Sequence, residues 1–254
     1  MLIRFTRRIV FLALLFPTLA FFVALAIGLG QNGGWTALPE AVPAAADFTV
    51  DYLRDLAAGD LGETTAAYPG APTTPIAEQL VRALPRSLGL LTASLAVAVA
   101  VGLPLGIVAS LRRRSNLSGA IVFLSALGIS TPSYFAAMLL IWLNVWLYRT
   151  TGADFIPLHG FGWDIHLLLP TLVLAARPMA NVMRLSYNAL IEVLDADFVR
   201  TAHAKGLTPR VVILRHVLRN TGVPLLTTIV VSLRFSLAIL PIVEYIFSWP
   251  GIGQ

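Results

Sequence analysis

Cysteine is absent from the sequence, which excludes a disulfide framework, a thiolate-bound zinc site and a thiol nucleophile, and leaves the redox compartment unread. Charge is scarce too: Asp, Glu, Lys and Arg make up 12% of the 254 residues, against about a quarter in a soluble domain. With 57% of residues hydrophobic, lipid must be part of this chain's solvent. Segments alternating strictly between apolar and polar are missing, and runs such as 90–101 are apolar on nearly every side. The sequence therefore predicts an all-α, polytopic transmembrane bundle rather than a β-barrel. The net charge of +5 is ascribed to cytoplasmic loops, and nucleic acid is not an expected partner.

What is present is a series of apolar runs with charges at their ends. Residues 1–30 form the first span, from Ile9 to about Leu29, preceded by Arg4, Arg7 and Arg8, which predicts a cytoplasmic N-terminus. Ala24 and Ala26 would suit a signal-peptide cleavage site, but the run exceeds the usual apolar region of about 7–15 residues, so an uncleaved span is favoured. Residues 31–84 are rich in Ala, Pro, Thr and acids and are read as an external segment with short amphipathic helices. One starts at Thr74 as cap and Pro75 as first residue, with Ile76, Leu80 and Leu84 on one face. Residues 85–254 form the core, with spans at about 87–111, 119–148, 167–187 and 223–247. Arg112, Arg113 and Arg114 stop the first of these on the inside. Gly102 and Gly106 in that span suit close helix approach, with a kink at Pro104 an equal possibility. Ser130, Pro132 and Ser133 interrupt the next span and predict a bend.

The polar segment 188–222 carries Arg200, Lys205, Arg210, Arg215 and Arg219. Local signals predict two short helices joined by a turn: Asp195 as first cap, Gly206 as left-handed terminator, Thr208 and Pro209 as the second start. Val211, Leu214 and Leu218 would form the second helix's apolar stripe. On physical grounds alone, a plain positive-inside loop competes with a compact helix-turn-helix on the cytoplasmic face.

The stretch Asp197-Phe-Val-Arg-Thr-Ala-His-Ala-Lys-Gly-Leu207, followed by Val212-Ile-Leu-Arg-His-Val-Leu-Arg-Asn220, resembles the EAA loop of ABC importer permeases in its dipeptide, oligopeptide and nickel branch. Arg200, Thr201 and Ala202 stand where the wider superfamily has Glu-Ala-Ala, and Leu218-Arg219 where it has Leu-Pro. The segments 52–62, 85–88, 102–106, 130–133 and 244–253 are similar to other landmarks of that family, in the same order. The resemblance implies a type I importer permease fold whose EAA loop, here Asp197, Arg200, Thr201, Ala202, His203, Ala204, Lys205, Gly206 and Leu207, couples to an ATPase subunit. It further implies a heterodimer with a second permease, two nucleotide-binding subunits carrying ATP and Mg, an extracytoplasmic solute-binding protein, and a bacterial-type inner membrane as location. No cofactor is expected in this chain, which has no Gly-x-x-x-x-Gly-Lys-Ser/Thr loop and is read as a transporter subunit rather than an enzyme. The family continues past Trp249-Pro-Gly251 into a further helix; these residues stop at Gln254, so five spans and an outside C-terminus are expected.

Ser130, Pro132, Ser133 and Arg234 are the candidate translocation-path residues. Arg234, near mid-span, would meet a substrate carboxylate or pair with the partner subunit; Glu244 reads as a structural group. Gly28, Gly30 and Gly33 mimic a dinucleotide fingerprint but end a span and follow no strand. His159 with His166, and His203 with His216, have the wrong spacing for paired metal ligands, and no metal site is predicted. An ion-gradient-driven secondary transporter is the rival reading, though neither an internal repeat nor intramembrane carboxylates for coupling ions stand out.

Overall fold

The computed structural model describes residues 2–31, 34–64, 73–153, 156–208 and 211–254. Gly33, Asp154, Pro209 and Arg210 lie outside the described residues, as do the side chains of Arg4, His203, Leu214, Arg215, His216 and Leu218. The chain divides into two units, residues 1–80 and 81–254.

The first unit holds α1 (Leu2–Gln31), a 3-10 turn at Gly34–Ala37 and α2 (Leu38–Ala57). Gly28 faces Ala41, and Phe16 stacks on Tyr52 at 6.4 Å, so the two helices form an antiparallel hairpin. Ala41, Ala45 and Thr49 make its buried ridge on α2, small side chains four apart that admit a close partner. Where short helices were predicted, the described residues include one of 20 residues. Pro39 fits its first turn, where backbone N–H groups lack partners anyway.

α3 (Ile76–Leu111) corrects a second expectation. The Ile76, Leu80 and Leu84 stripe is the opening of this one long helix, not a separate element. Pro85 removes a ladder bond, yet the flanking Ala- and Leu-rich turns sustain the helix. Its start also shifts by one residue: the Pro75 carbonyl accepts from the backbone N–H groups of Glu78 and Gln79, while the Thr74 hydroxyl accepts from the Gln79 side chain.

The predicted bend in the next span is a full break. α4 (Asn116–Ser130) and α5 (Ser133–Thr151) meet at 106°. Pro132 has no N–H to continue the ladder and disfavours helical geometry at Thr131, which is extended at ψ 123°. α6 (Leu168–Leu194) follows a 3-10 turn capped by Asp164. The backbone N–H of His166 donates to that carboxylate at 3.0 Å and, with the His166 ring, holds the Asp164 carboxyl below its usual range. α7 (Asp197–Ala204) is short, and a π-helical turn at Val212–Val217 runs directly into α8 (Leu218–Ile246). Among the described residues no separate second loop helix stands between them, and the last span does not begin afresh near Val223. The predicted stripe is displaced as well: Val211 is exposed, whereas Val212, Val217 and Thr221 are buried.

Two ends of the second unit can be told apart. At one, Ile107, Leu190, Val193, Leu194, Val212 and Val217 cluster beside the arginines at 112–114. At the other, Leu90, Leu91, Leu169, Val173, Val243, Phe247 and Trp249 cluster. α3 and α6 therefore run parallel, from the tryptophan end to the arginine end, and α8 runs back. Since α4 leaves the arginine end and α6 starts at the other, α4 and α5 together carry the chain back and count as one broken crossing. Among the described residues, α1, α3, α6 and α8 are each long and apolar enough to span a membrane, and the bent pair makes up to five.

The parallel α3 and α6 touch backbone to backbone. A Cβ at Gly102 would stand 2.6 Å from the Met179 carbonyl oxygen, and one at Gly106 equally close to that of Met183. Both glycines thus serve close approach, and Pro104 sits inside an unbroken α3.

The tryptophan end is closed by a polar knot around Glu244, which is wholly buried. Ser87 Oγ donates to Glu244 Oε1 at 2.5 Å, Gly253 N donates to Oε2 at 2.7 Å, and Ile252 N donates to Ser87 Oγ at 2.8 Å. Trp249 Nε1 donates to the Arg86 carbonyl, and Trp249 packs edge-on against Phe161 and Trp163. This gives Glu244 the structural role its position suggested. Glu244→Ala is expected to destabilise the purified protein by about 1–3 kcal/mol, because two donors lose their acceptor in a buried site. Glu244→Gln should cost less; thermal unfolding in detergent, with equal melting of Glu244→Ala and the parent as the contrary result, checks this.

Candidate functional site

An eight-residue helix is too short to persist alone in water, so α7 must be held by what it packs on. Val199 and Ala202, three apart and therefore on one face, are 3% and 6% exposed. They share one buried cluster with Leu190 of α6 and Val212 and Val217 of the π turn, and Val193 and Leu194 of α6 and Ile107 of α3 pack against that cluster. One short helix thereby belongs to a cluster to which three long ones contribute.

Entry and exit are fixed by backbone geometry. Asp195 does not cap α7 as predicted: it closes the end of α6, and its carboxylate accepts from Arg113 Nη1 at 2.7 Å. The α7 cap is Ala196, whose carbonyl accepts from Val199 N and Arg200 N. At the exit Gly206 takes φ +77°, and Leu207 N donates to the Ala202 carbonyl at 3.3 Å. That six-to-one bond with a left-handed residue inside it is a Schellman-type stop, as the sequence indicated.

The opposite face of α7 is open. Asp197, Arg200, Thr201, Ala204, Lys205, Gly206 and Leu207 are exposed, and Arg200 lies 3.5 Å from Asp197 across an exposed surface. Ala202 is the one member of the predicted set turned inward; the side chain of His203 is not described. Sequence reasoning missed Phe198, 41% exposed on this outer face. Its cue was available: an aromatic one residue before a buried Val on an eight-residue helix cannot share that residue's face.

Ser130, Pro132 and Ser133 lie at the α4–α5 break, Ser130 and Pro132 exposed. Arg234 is on the exposed side of α8, its guanidinium over the Phe235 ring at 5.3 Å. Among the described residues no hydrogen bond or ring contact joins Arg234 to that break. A second feature runs down α6: Arg177 and Arg184, which the sequence places in the inner half of this span, share one face at helical spacing with Asn181 and Asn188. At 100° per residue this face lies opposite Met179, Val182, Met183 and Ser186, which meet Gly102 and Gly106 of α3.

Long apolar helices running parallel and tied at one end to a short, outward-facing helix define an integral membrane protein of the helical-bundle class. Residues 102–254 match the family described as binding-protein-dependent transport system inner membrane component, and the chain belongs to that family. It is 35% identical over 203 residues to the dipeptide transport system permease protein DppB of Bacillus subtilis (strain 168), covering 80% of this chain and 63% of that protein. It is 34% identical over 228 residues to the di/tripeptide transport system permease protein DppB of Pseudomonas aeruginosa (strain UCBPP-PA14), covering 81% and 66%. With the oligopeptide transport system permease protein AppB of B. subtilis identity is 31% over 208 residues, covering 80% and 65%. The chain thus spans 63 to 66% of the length of these relatives.

Proposed function

We propose that this chain is a permease subunit of an ATP-driven importer for peptides or similar small solutes, with α7 as the coupling helix. The observation that carries the reading is the buried cluster that Val199 and Ala202 share with α6 and the root of α8, and against which Ile107 of α3 packs: a push on α7 bears on a cluster that three membrane helices build. The outer face offers Phe198 and Leu207 as apolar contacts among Asp197, Arg200 and Lys205, a composition suited to a protein groove. ATP and Mg belong to two separate nucleotide-binding subunits. A second permease completes the path, which opens alternately to either side as the subunits rock. A solute-binding protein delivers substrate outside, where residues 31–84 are a candidate docking surface. The arginine end is cytoplasmic by the excess of Arg and Lys there, and Arg7 and Arg8 assign the N-terminus to the cytoplasm by the same rule.

The test is reconstitution with the chains that co-purify from the native membrane. Peptide uptake should be blocked by vanadate and unaffected by a protonophore; the reverse pattern would identify an ion-coupled carrier instead. Phe198→Asp should reduce recovery of the ATPase subunits about tenfold or more, since a charge replaces an aromatic anchor, while membrane insertion is unchanged. Full recovery would remove α7 from the docking surface.

A further inference from the structure

The polar face of α6 and Arg234 on α8 leave a physical problem that the coupling role does not address. Arg177 is half-buried, nine residues into α6, and Arg234 lies well inside α8. Both guanidiniums lie over a single ring, that of Phe235, at 5.2 and 5.3 Å from its centre. Two like charges are thereby gathered on one phenyl group. Among the described residues neither is in an ion pair with a carboxylate, unlike Arg54, Arg113, His166 and Arg200. The buried Nε of Arg177 and the buried Nδ2 of Asn181, one helical turn apart, also lack hydrogen-bond partners.

Guanidiniums at membrane depth are costly unless they face water or an anion, and mutual repulsion raises that cost. Stacking on Phe235 offsets part of it through the ring quadrupole. It also leaves the N–H donors at the guanidinium edge available for a bidentate acceptor. Below this pair, toward the arginine end, Arg184 and Asn188 continue the same face of α6, both exposed. A single ion pair with a neighbouring subunit would need one such residue. A row of cations and amides along a helix is instead what a wet passage for an anionic group requires.

We propose that Arg177, Arg234 and Asn181, arranged about Phe235, form a carboxylate-binding station inside the translocation path, so that the transported solute is held there by a free carboxylate. This rests on the importer reading above and narrows its substrate class: peptides with a free C-terminal carboxylate pass, while amidated peptides and cationic chelates are disfavoured.

The experiment uses the assembled permease–ATPase complex without the solute-binding protein, so that the membrane site alone is read. Saturation-transfer NMR with trialanine and with trialaninamide should give binding of the free acid at least tenfold tighter than the amide. Arg177→Gln combined with Arg234→Gln should bring the acid down to the level of the amide and leave the amide unchanged. Equal binding of acid and amide by the unsubstituted complex, or no binding of either, overturns the proposal. So does loss of the second permease from the double variant, because the guanidiniums would then hold a carboxylate of that partner. Vanadate-sensitive uptake of trialanine by the full assembly is measured alongside. If uptake persists without discrimination at the membrane site, only the station fails; if there is no ATP-driven uptake, the importer reading fails with it.

Discussion

Gly206→Val should insert and fold normally yet transport peptide about tenfold more slowly or worse. Gly206 holds φ +77° with open space around the position a Cβ would take, so the penalty is purely one of backbone conformation. Left-handed geometry costs an ordinary L-residue about 1–2 kcal/mol, and a β-branched side chain more. In this chain that cost falls on the bond from Leu207 N to the Ala202 carbonyl, which closes α7. If the closed form is what docks, each 1.4 kcal/mol weakens docking about tenfold. Gly206→Asn separates this cause from crowding, because Asn enters the left-handed region readily and should keep most of the uptake. Equal loss with Asn and Val would point to a need for bare backbone at the docking surface.

Gly106→Leu acts at the other extreme, through space alone. A Cβ there would lie 2.6 Å from the Met183 carbonyl oxygen and 2.9 Å from Ser186 Cβ, and one of those neighbours is helical backbone that cannot turn aside. Overpacking of this kind costs about 1–3 kcal/mol or more, and leucine's branch extends it. For a chain this size each kcal/mol moves the midpoint by about 2–4 °C, so the apparent Tm in detergent should fall by several degrees or the yield collapse. Gly119→Leu, where nothing lies within 4 Å, is the matched control. Equal Tm values for the two variants would mean that α3 and α6 do not meet at Gly106.

The elements that were legible in the sequence are those whose cause is local. Gly206 is a stop because of its own φ, Pro132 breaks α4 from α5 because it has no N–H, and the arginines at 112–114 end α3 because lipid will not hold them. The family-like stretch 197–207 holds a helix with one buried and one exposed face, its predicted terminator in place. The misread features depend on neighbours distant in sequence. Asp195 looks like a cap until Arg113, 82 residues away, takes its carboxylate. Pro85 looks like a boundary until α3 runs through it. Gly102 and Gly106 fit a kink or a contact equally until Met179 and Met183 arrive. The polar face of α6 was readable at i, i+4, i+7 and i+11, but its meaning required knowing that α3 covers the opposite side.

The π-helical turn at Val212–Val217 bears on everything after it. A hydrogen-bond ring one residue wider than that of an α-helix acts like a single inserted residue, advancing all later side chains by about 100° about the axis. It lets Val212 and Val217, five apart, both reach the α6 core. The same angular offset sets the azimuth of α8, and with it the directions in which Arg234 points out and Glu244 points in. The exposed face of α7, the arginines about Phe235 and the closed tryptophan end are therefore registered to one another by one extra residue at the root of the last helix.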